Sequence, residues 1–373
     1  MESTNPQNRM ARLLRTWSER YLSDPQLFIL LLLLALAAGL FYLLGGMLTP
    51  AIIALVIAYV LDGLVGLLLR LRMPRLLAVI IVFLLFLALV FTLIMVFLPM
   101  LLDQVGQLLQ DLPKMVQNGQ KALMALPERY PDIISKSQIS KIMEIITVQL
   151  TELGQKVLAH SLSSVRGLIT ILVYLVLVPL LVFFFLKDKK MILEWMKRFL
   201  PEEHGLAASV WHEANAQVSN YVRGKIWEIA IVWAASFITF RFLHLRFSML
   251  LAVMVGLSVI VPYIGATVVT FPVAMMAFFQ WGLSPELLYV VIAYGILQFF
   301  DGNLLAPLLL AGVVHIHPVA VIVAILIFGG LWGIWGLFFA IPLATLVQAV
   351  LKAWADKRQE IQARGLNEKN PSA

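Results

Sequence analysis

Long apolar runs without a single charged residue dominate this sequence. Leu76–Leu102, Phe247–Ser284 and Ile316–Leu351 contain no Asp, Glu, Lys or Arg over 27, 38 and 36 positions. About 20 apolar residues are enough for a helix that crosses the hydrocarbon core of a bilayer. Since 61% of the residues are hydrophobic and only 13% are charged, the chain cannot cover a soluble core with polar side chains. The sequence therefore predicts an all-α, polytopic integral membrane protein.

The spacing of the apolar runs predicts about eight transmembrane helices, with broken or re-entrant segments in the C-terminal half. Leu27–Leu48, Pro50–Leu69, Leu76–Leu102 and Gly167–Leu186 are the first four predicted spans, and Ile226–Phe240 is the fifth. The predicted organisation is a cytoplasmic N-terminal segment (1–26), the first three transmembrane helices (27–102), an external amphipathic region (103–165), the fourth transmembrane helix (166–186), a cytoplasmic amphipathic region (187–225), a C-terminal transmembrane core (226–351) and a cytoplasmic tail (352–373).

The region 103–165 differs from the spans because charged residues return. Its apolar residues recur at helical spacing, which is typical of amphipathic helices outside the membrane. Prolines indicate loop breaks near Pro113, Pro127 and Pro131. We expect helices that lie beside the membrane.

Basic residues predict the orientation of the chain. They concentrate in the N-terminal segment, between the second and third predicted spans, after the fourth, and in the tail, so both termini are expected in the cytoplasm. An even number of crossings follows. The uncharged stretches 247–284 and 316–351 must then each return to the side they entered from, either as two short spans or as a re-entrant hairpin. Arg241 and Arg246 fall on the outer side in this scheme.

Three interruptions of the C-terminal apolar stretches are candidate breaks in membrane helices. They lie at Val261–Gly265, at Asp301–Asn303 and at Phe328–Gly336. Unwound backbone at membrane depth needs shelter from protein or a water-filled cavity, and transporters use such breaks as binding sites. Glycines also allow helices simply to pack closely. The pathway residues predicted from these breaks are Pro262, Tyr263, Gly265, Gly329, Gly330 and Gly333.

Two carboxylates lie within apolar segments, where an acid is costly and usually functional. Asp301 has Gln298 one turn before it and Asn303 two residues after it, so three polar groups could converge. The alternative is a surface turn in which Asp301 only caps a helix. Asp62 is the second candidate for proton or ion coupling, or else a partner in a buried ion pair. We expect Glu228 to pair with Lys225 or Arg223 for structural reasons.

Several function classes are excluded by missing motifs. The chain has no cysteine, no phosphate-binding glycine loop and no nucleophile elbow, so we expect neither an enzyme nor an ATPase. His315 and His317 lack a third ligand nearby, which argues against a metal site, and no cofactor is expected. The formal charge of +7 lies beside the apolar runs, so it indicates membrane orientation and not nucleic-acid binding.

An ordered set of motifs resembles the autoinducer-2 exporter-like family of bacterial membrane transporters, closest to its PerM permease branch. The motifs are Phe183–Asp188, Tyr221–Lys225, Pro262–Gly265, Asp301–Asn303 and Phe328–Gly333, followed by Ile341-Pro342. The resemblance covers nearly the whole chain. It implies a multi-pass protein of the bacterial inner membrane with about eight spans, which forms a homo-oligomer. Some relatives are described as autoinducer-2 exporters and others as sodium/proton antiporters.

The resulting hypothesis is a permease that moves a small polar solute across the cytoplasmic membrane, as an exporter that is gradient-driven or passive. Its expected partners are the lipid bilayer, a small polar solute or cation, and further copies of itself. Two alternatives remain open. One is a sodium/proton antiporter in which Asp301 or Asp62 titrates, and the other is a membrane scaffold that binds a partner through residues 103–165.

Overall fold

The computed structural model describes residues 25–124, 165–197, 205–262, 264–310 and 317–369, with five isolated positions between 140 and 152. Helices, joined by short turns, account for almost all of these residues. The helices are α1 (Pro25–Arg70), α2 (Arg75–Thr92), α3 (Leu98–Met124), α4 (Val165–Lys187), α5 (Lys189–Lys197), α6 (Gly205–Phe242), α7 (Ser248–Ser258), α8 (Ile264–Trp281), α9 (Pro285–Phe300), α10 (Ala306–Leu309) and α11 (Pro318–Lys369).

Six helical stretches in the described part are long and apolar enough to cross a membrane, which confirms the all-α, polytopic prediction. Large apolar side chains point outward along them: Leu85 and Leu89 are 62% and 58% exposed, and Phe91 is 65% exposed. Contact with lipid accounts for such a surface. The six stretches are Met47–Arg70, Arg75–Lys121, Thr170–Lys187, Ile264–Trp281, Pro285–Leu309 and Pro318–Val350.

The structure differs from the prediction at Pro50, where a turn between two spans was expected. Helix α1 instead runs unbroken through Pro50 for 46 residues, a rise of about 69 Å. A proline inside a helix removes one hydrogen bond, and apolar helices tolerate this where neighbouring groups compensate. The segment Leu48-Thr49-Pro50 carries no charge and no glycine. The apolar runs on both sides of Pro50 therefore form a single helix.

Two π-helical turns occur among the described residues, each just before a proline in the following helix. Leu93–Phe97 joins α2 to α3 just before Pro99, and Asp301–Leu305 joins α9 to α10 just before Pro307. The proline ring clashes with the carbonyl four residues earlier, and the wider π turn accommodates that carbonyl. The prediction of a break at Asp301–Asn303 is therefore wrong. The helix widens into a π turn there and does not unwind.

Helix α3 extends through the first part of the predicted amphipathic region. The predicted loop near Pro113 is wrong, since Pro113 lies inside α3. The loops predicted near Pro127 and Pro131 lie outside the described residues.

Both long uncharged stretches turn back on themselves. After α7, Gly265 lies so close to Ser258 that a Cβ atom on the glycine would be 1.7 Å from the Ser258 carbonyl oxygen. In α11, Gly333 has φ 58 and ψ −133, and a Cβ on Gly336 would be 1.7 Å from the Phe328 oxygen. A straight helix would keep Phe328 and Gly336 about 12 Å apart. The chain therefore reverses at both places.

The lengths of the first arms of the two hairpins favour the re-entrant alternative. Helix α7 has 11 residues, a rise of about 16 Å, which is too short to cross about 30 Å of hydrocarbon. The first arm of α11, residues 318–332, rises about 22 Å. We refer to residues 248–281 as the first hairpin and to residues 318–350 as the second hairpin.

The described residues belong to two compact units. One contains Val56–Phe183 and Val222–Ala311, and its apolar core is formed mainly by α6, α7, α8 and α9 with side chains such as Phe240, Val255 and Val273. The other contains residues up to Leu55, Phe184–Tyr221 and the second hairpin.

Candidate functional site

A fully buried ion pair lies on helix α6. The Lys225 ammonium donates to Oε2 of Glu228 at 2.9 Å, and the two side chains are only 3% and 2% exposed. This confirms the predicted pairing of Glu228 with Lys225. Burying two charges is costly and is tolerated only when they offset each other. The burial of both groups in an apolar helix marks this position as unusual.

Asp301 brings a second carboxylate near this ion pair. It lies within electrostatic range of both groups, so it attracts the Lys225 ammonium and repels the Glu228 carboxylate. We call Lys225, Glu228 and Asp301 the buried charge cluster. Only Lys225 and Glu228 are fully buried, and Asp301 is half-buried. One positive and two negative groups leave an excess of one negative charge when all three are ionised, and a partly buried excess charge favours the binding of a proton or another cation.

One carboxylate oxygen of Asp301 lacks a hydrogen-bond partner in the described part of the chain. Its Oδ1 is buried and has no hydrogen-bond partner among the described residues, and the same is true of Nε2 of Gln298, one turn earlier. An unsatisfied buried polar atom costs about 1–3 kcal/mol. Asp301 and Gln298 therefore offer an acceptor and a donor to a bound proton, ion or polar solute.

Close backbone packing holds α6 against the end of α10. A Cβ atom on Gly224 would lie 2.5 Å from the carbonyl oxygen of Leu309 and 2.9 Å from Leu310. Only glycine permits this approach. Gly224 directly precedes Lys225, so the contact fixes the lysine beside the π turn that carries Asp301.

Tyr294 connects this region to the first hairpin. Its hydroxyl donates to the carbonyl oxygen of Ala266 at 3.0 Å, one residue after Gly265, and Gln298 lies beside the same hydroxyl. The reversal at Pro262–Gly265 is thus tied through Tyr294 to the helix that carries Gln298 and Asp301. Pro262 is half-buried and Gly265 is buried, whereas Tyr263 lies outside the described residues.

Asp62 has a different environment from Asp301. Its carboxylate pairs with the Arg223 guanidinium at 3.7 Å, and Arg223 Nε also donates to the Tyr59 carbonyl oxygen at 3.2 Å. Both side chains of the ion pair are partly exposed. The charge of Asp62 is therefore already offset, which favours the ion-pair alternative for this residue.

The other predicted pathway residues have different local surroundings. Asn303 is exposed, and its amide donates to the Phe299 carbonyl oxygen of its own helix at 2.9 Å. Gly329, Gly330 and Gly333 lie in the second hairpin, which belongs to the other compact unit. Gly333 has the positive φ that favours glycine, Gly329 packs close to Leu337, and a Cβ on Gly330 would meet nothing within 4 Å.

The sequence predicts Lys225 as a possible partner of Glu228 but does not predict that Asp301 lies near this pair. The pairing has a local signal, because a lysine and a glutamate three residues apart share one face of a helix. Both stand at the border of an apolar run that contains no other charge up to Arg241. Their association with Asp301 depends on the contact at Gly224, which no local pattern reveals.

Known proteins resemble this chain over most of its length. The family described as "AI-2E family transporter" matches residues 28–356. PerM of Escherichia coli (strain K12), whose name marks it as a candidate permease, is 42% identical over 93% of this chain and 98% of its own length. YueF of Bacillus subtilis (strain 168), named as a candidate transport protein, is 27% identical over 80% of this chain and 82% of its own length. The family match over residues 28–356 and the 42% identity to PerM show that the chain belongs to the AI-2E family of transporters.

Proposed function

We propose that this protein is a permease that exports a small polar solute across the bacterial inner membrane, with both termini in the cytoplasm. The observation that carries the proposal is the buried charge cluster. Ionisable groups within membrane proteins usually face a transport route, because lipid does not stabilise them. The unsatisfied atoms of Asp301 and Gln298 would meet the polar groups of the solute.

The excess charge of the cluster supports coupling to a cation gradient. When Asp301 binds a proton or a sodium ion, the cluster becomes neutral, and when it releases the cation, one negative charge of the cluster remains uncompensated. The two states therefore differ in the electrostatic free energy of the site. A difference of this kind lets a gradient on one side of the membrane bias the conformation of the protein.

Sodium/proton antiport is the second candidate, and the same charge count favours it. In that case Asp301 alternately binds the two cations, and no organic solute is needed. Asp62 is the weaker candidate for this role because Arg223 already offsets its charge. Both candidates agree with a protein that forms homo-oligomers, as the resemblance implies.

Asp301→Asn is expected to abolish transport, because asparagine cannot bind and release a proton or pair with a cation as a carboxylate does. The purified protein would be reconstituted into liposomes and screened for solute and ion flux under imposed sodium and proton gradients. Asp62→Asn should retain transport, and so should Asp103→Asn, which removes an exposed carboxylate from α3.

The pattern of results separates the candidates. Loss of both solute flux and its dependence on the gradient in Asp301→Asn supports the exporter. Loss of sodium-dependent proton movement without any solute flux supports the antiporter. Normal flux in Asp301→Asn would refute the assignment of this site. Absence of flux for every solute and ion tested in the wild-type protein would favour the scaffold.

A further inference from the structure

A cavity of about 480 Å³ lies at the other end of α6 from the buried charge cluster. Arg241, in its wall, follows Lys225 by 16 residues, so the two positions are about 24 Å apart along the helix axis. The cavity forms where the connection from α6 to α7 meets α3, and its size is typical of sites for small molecules. The polar part of its wall consists of Gln104, Gln107, Arg241, His244, Arg246 and Ser248.

The charge of this cavity is positive and not balanced by its wall. None of the described residues that line it is a carboxylate. Arg246 pairs with Asp111 of α3 and lies over the Phe247 ring at 5.4 Å. Arg241 is exposed, and none of the described residues forms an ion pair or hydrogen bond with its guanidinium. Arg241 therefore retains an uncompensated charge that faces an open cavity.

The connection that carries these groups is held in a specific conformation. His244 and Phe247 have φ of 55 and 56, in the left-handed region that side chains other than glycine rarely adopt. Gln280 holds the connection at two points: its Nε2 donates to the His244 carbonyl oxygen at 2.9 Å, and its Oε1 accepts from the Arg246 backbone N–H at 2.8 Å. Strained backbone persists only where the surroundings enforce it, and it is concentrated at functional sites.

We propose that this cavity is a binding site for a phosphate-bearing anion. A guanidinium binds phosphate through two parallel hydrogen bonds, and the amides of Gln104 and Gln107 supply further donors. The rest of the wall is apolar, so the phosphate can belong to a molecule with an apolar part; it consists of Met100, Phe237, Leu245 and Phe247. A soluble phosphate compound and the headgroup of an anionic phospholipid share this chemistry. The site is independent of the proposed transport cycle.

The test is a binding measurement on the full chain. Inorganic phosphate is titrated by calorimetry into protein in neutral maltoside micelles at constant ionic strength. In a second arm, phosphatidylglycerol is added to the micelles, and native mass spectrometry counts the lipids that each protein retains. The variants are Arg241→Gln, Asp111→Asn and, as a control, Lys121→Gln, which removes an exposed cation from α3 outside the cavity.

Arg241→Gln is expected to weaken binding about tenfold, the effect of losing one charge-assisted contact. Asp111→Asn should strengthen binding because it releases Arg246 from its carboxylate, and Lys121→Gln should leave binding unchanged. Saturable binding of phosphate identifies a soluble anion as the ligand, and retention of phosphatidylglycerol alone identifies a lipid headgroup. Absence of both signals overturns the proposal. So does binding that neither Arg241→Gln nor Asp111→Asn alters.

Discussion

Lys225→Met is expected to lower the free energy of unfolding by about 3–5 kcal/mol, whereas Glu228→Gln should lower it by only about 1 kcal/mol. The lysine is the single cation of the buried charge cluster, so its loss raises the excess from one negative charge to two. Glu228→Gln removes one of two negative charges and leaves Lys225 balanced by Asp301. The glutamine oxygen can still accept the hydrogen bond that Glu228 Oε2 now accepts at 2.9 Å.

This asymmetry distinguishes a cluster of three groups from a simple ion pair. Unfolding would be followed in detergent by helical circular dichroism as denaturant is added. The matched control is the variant Asp301→Asn, which should also cost little, because it leaves one cation and one anion. If Lys225→Met and Glu228→Gln cost the same, the two residues form an isolated pair and Asp301 takes no part in their balance.

Gly265→Ala and Gly336→Ala are expected to destabilise the protein by at least about 3 kcal/mol, or to prevent folding. In each case the new Cβ atom would lie 1.7 Å from a backbone carbonyl oxygen, that of Ser258 or of Phe328. A carbonyl in a helix cannot rotate away as a flexible side chain can. The two arms of the hairpin would therefore have to separate where the chain reverses.

Helical glycines without neighbours provide the controls. A Cβ on Gly295 in α9 or on Gly330 in α11 would meet nothing within 4 Å. Gly→Ala in the interior of a helix is favourable by up to about 1 kcal/mol, so these variants should be neutral or slightly more stable. Thermal unfolding of the four purified variants tests this. Equal stability of all four would contradict the close approach of the hairpin arms.

The main features of the fold are predictable because apolar, uncharged helices are stable in lipid and charged residues are not. Uncharged runs of more than 20 residues identify membrane helices. Pro262 and Gly265 indicate the reversal between α7 and α8. The glycine-rich segment around Gly333 likewise indicated a break. The length of α7 favours a hairpin over two spans, and its 11 residues become evident only when the helix ends are known.

Other features depend on which groups compensate each other in space. Pro50 reads as a helix boundary, but whether a helix continues through a proline depends on its neighbours. Asp301-Gly302-Asn303 has the composition of a turn, yet Pro307 instead produces a π turn within a continuous helix. The prediction that Asn303 lies beside Asp301 rests on distance along the chain alone. Side chains two residues apart on a helix do not face each other, and Asn303 is exposed.

Water access at Gln298 tests most directly whether this region lines a sheltered route through the bilayer. The chain has no cysteine, so single cysteines can be introduced without other changes. Gln298→Cys and Ile296→Cys, the latter at a side chain 52% exposed on the outer surface of α9, would be treated in membrane vesicles with a water-soluble, membrane-impermeant thiol reagent. Only a thiolate reacts, and it forms only where water reaches it. If the region lines such a route, the reagent modifies Gln298→Cys and leaves Ile296→Cys unmodified. A Gln298→Cys variant that stays unmodified would contradict it.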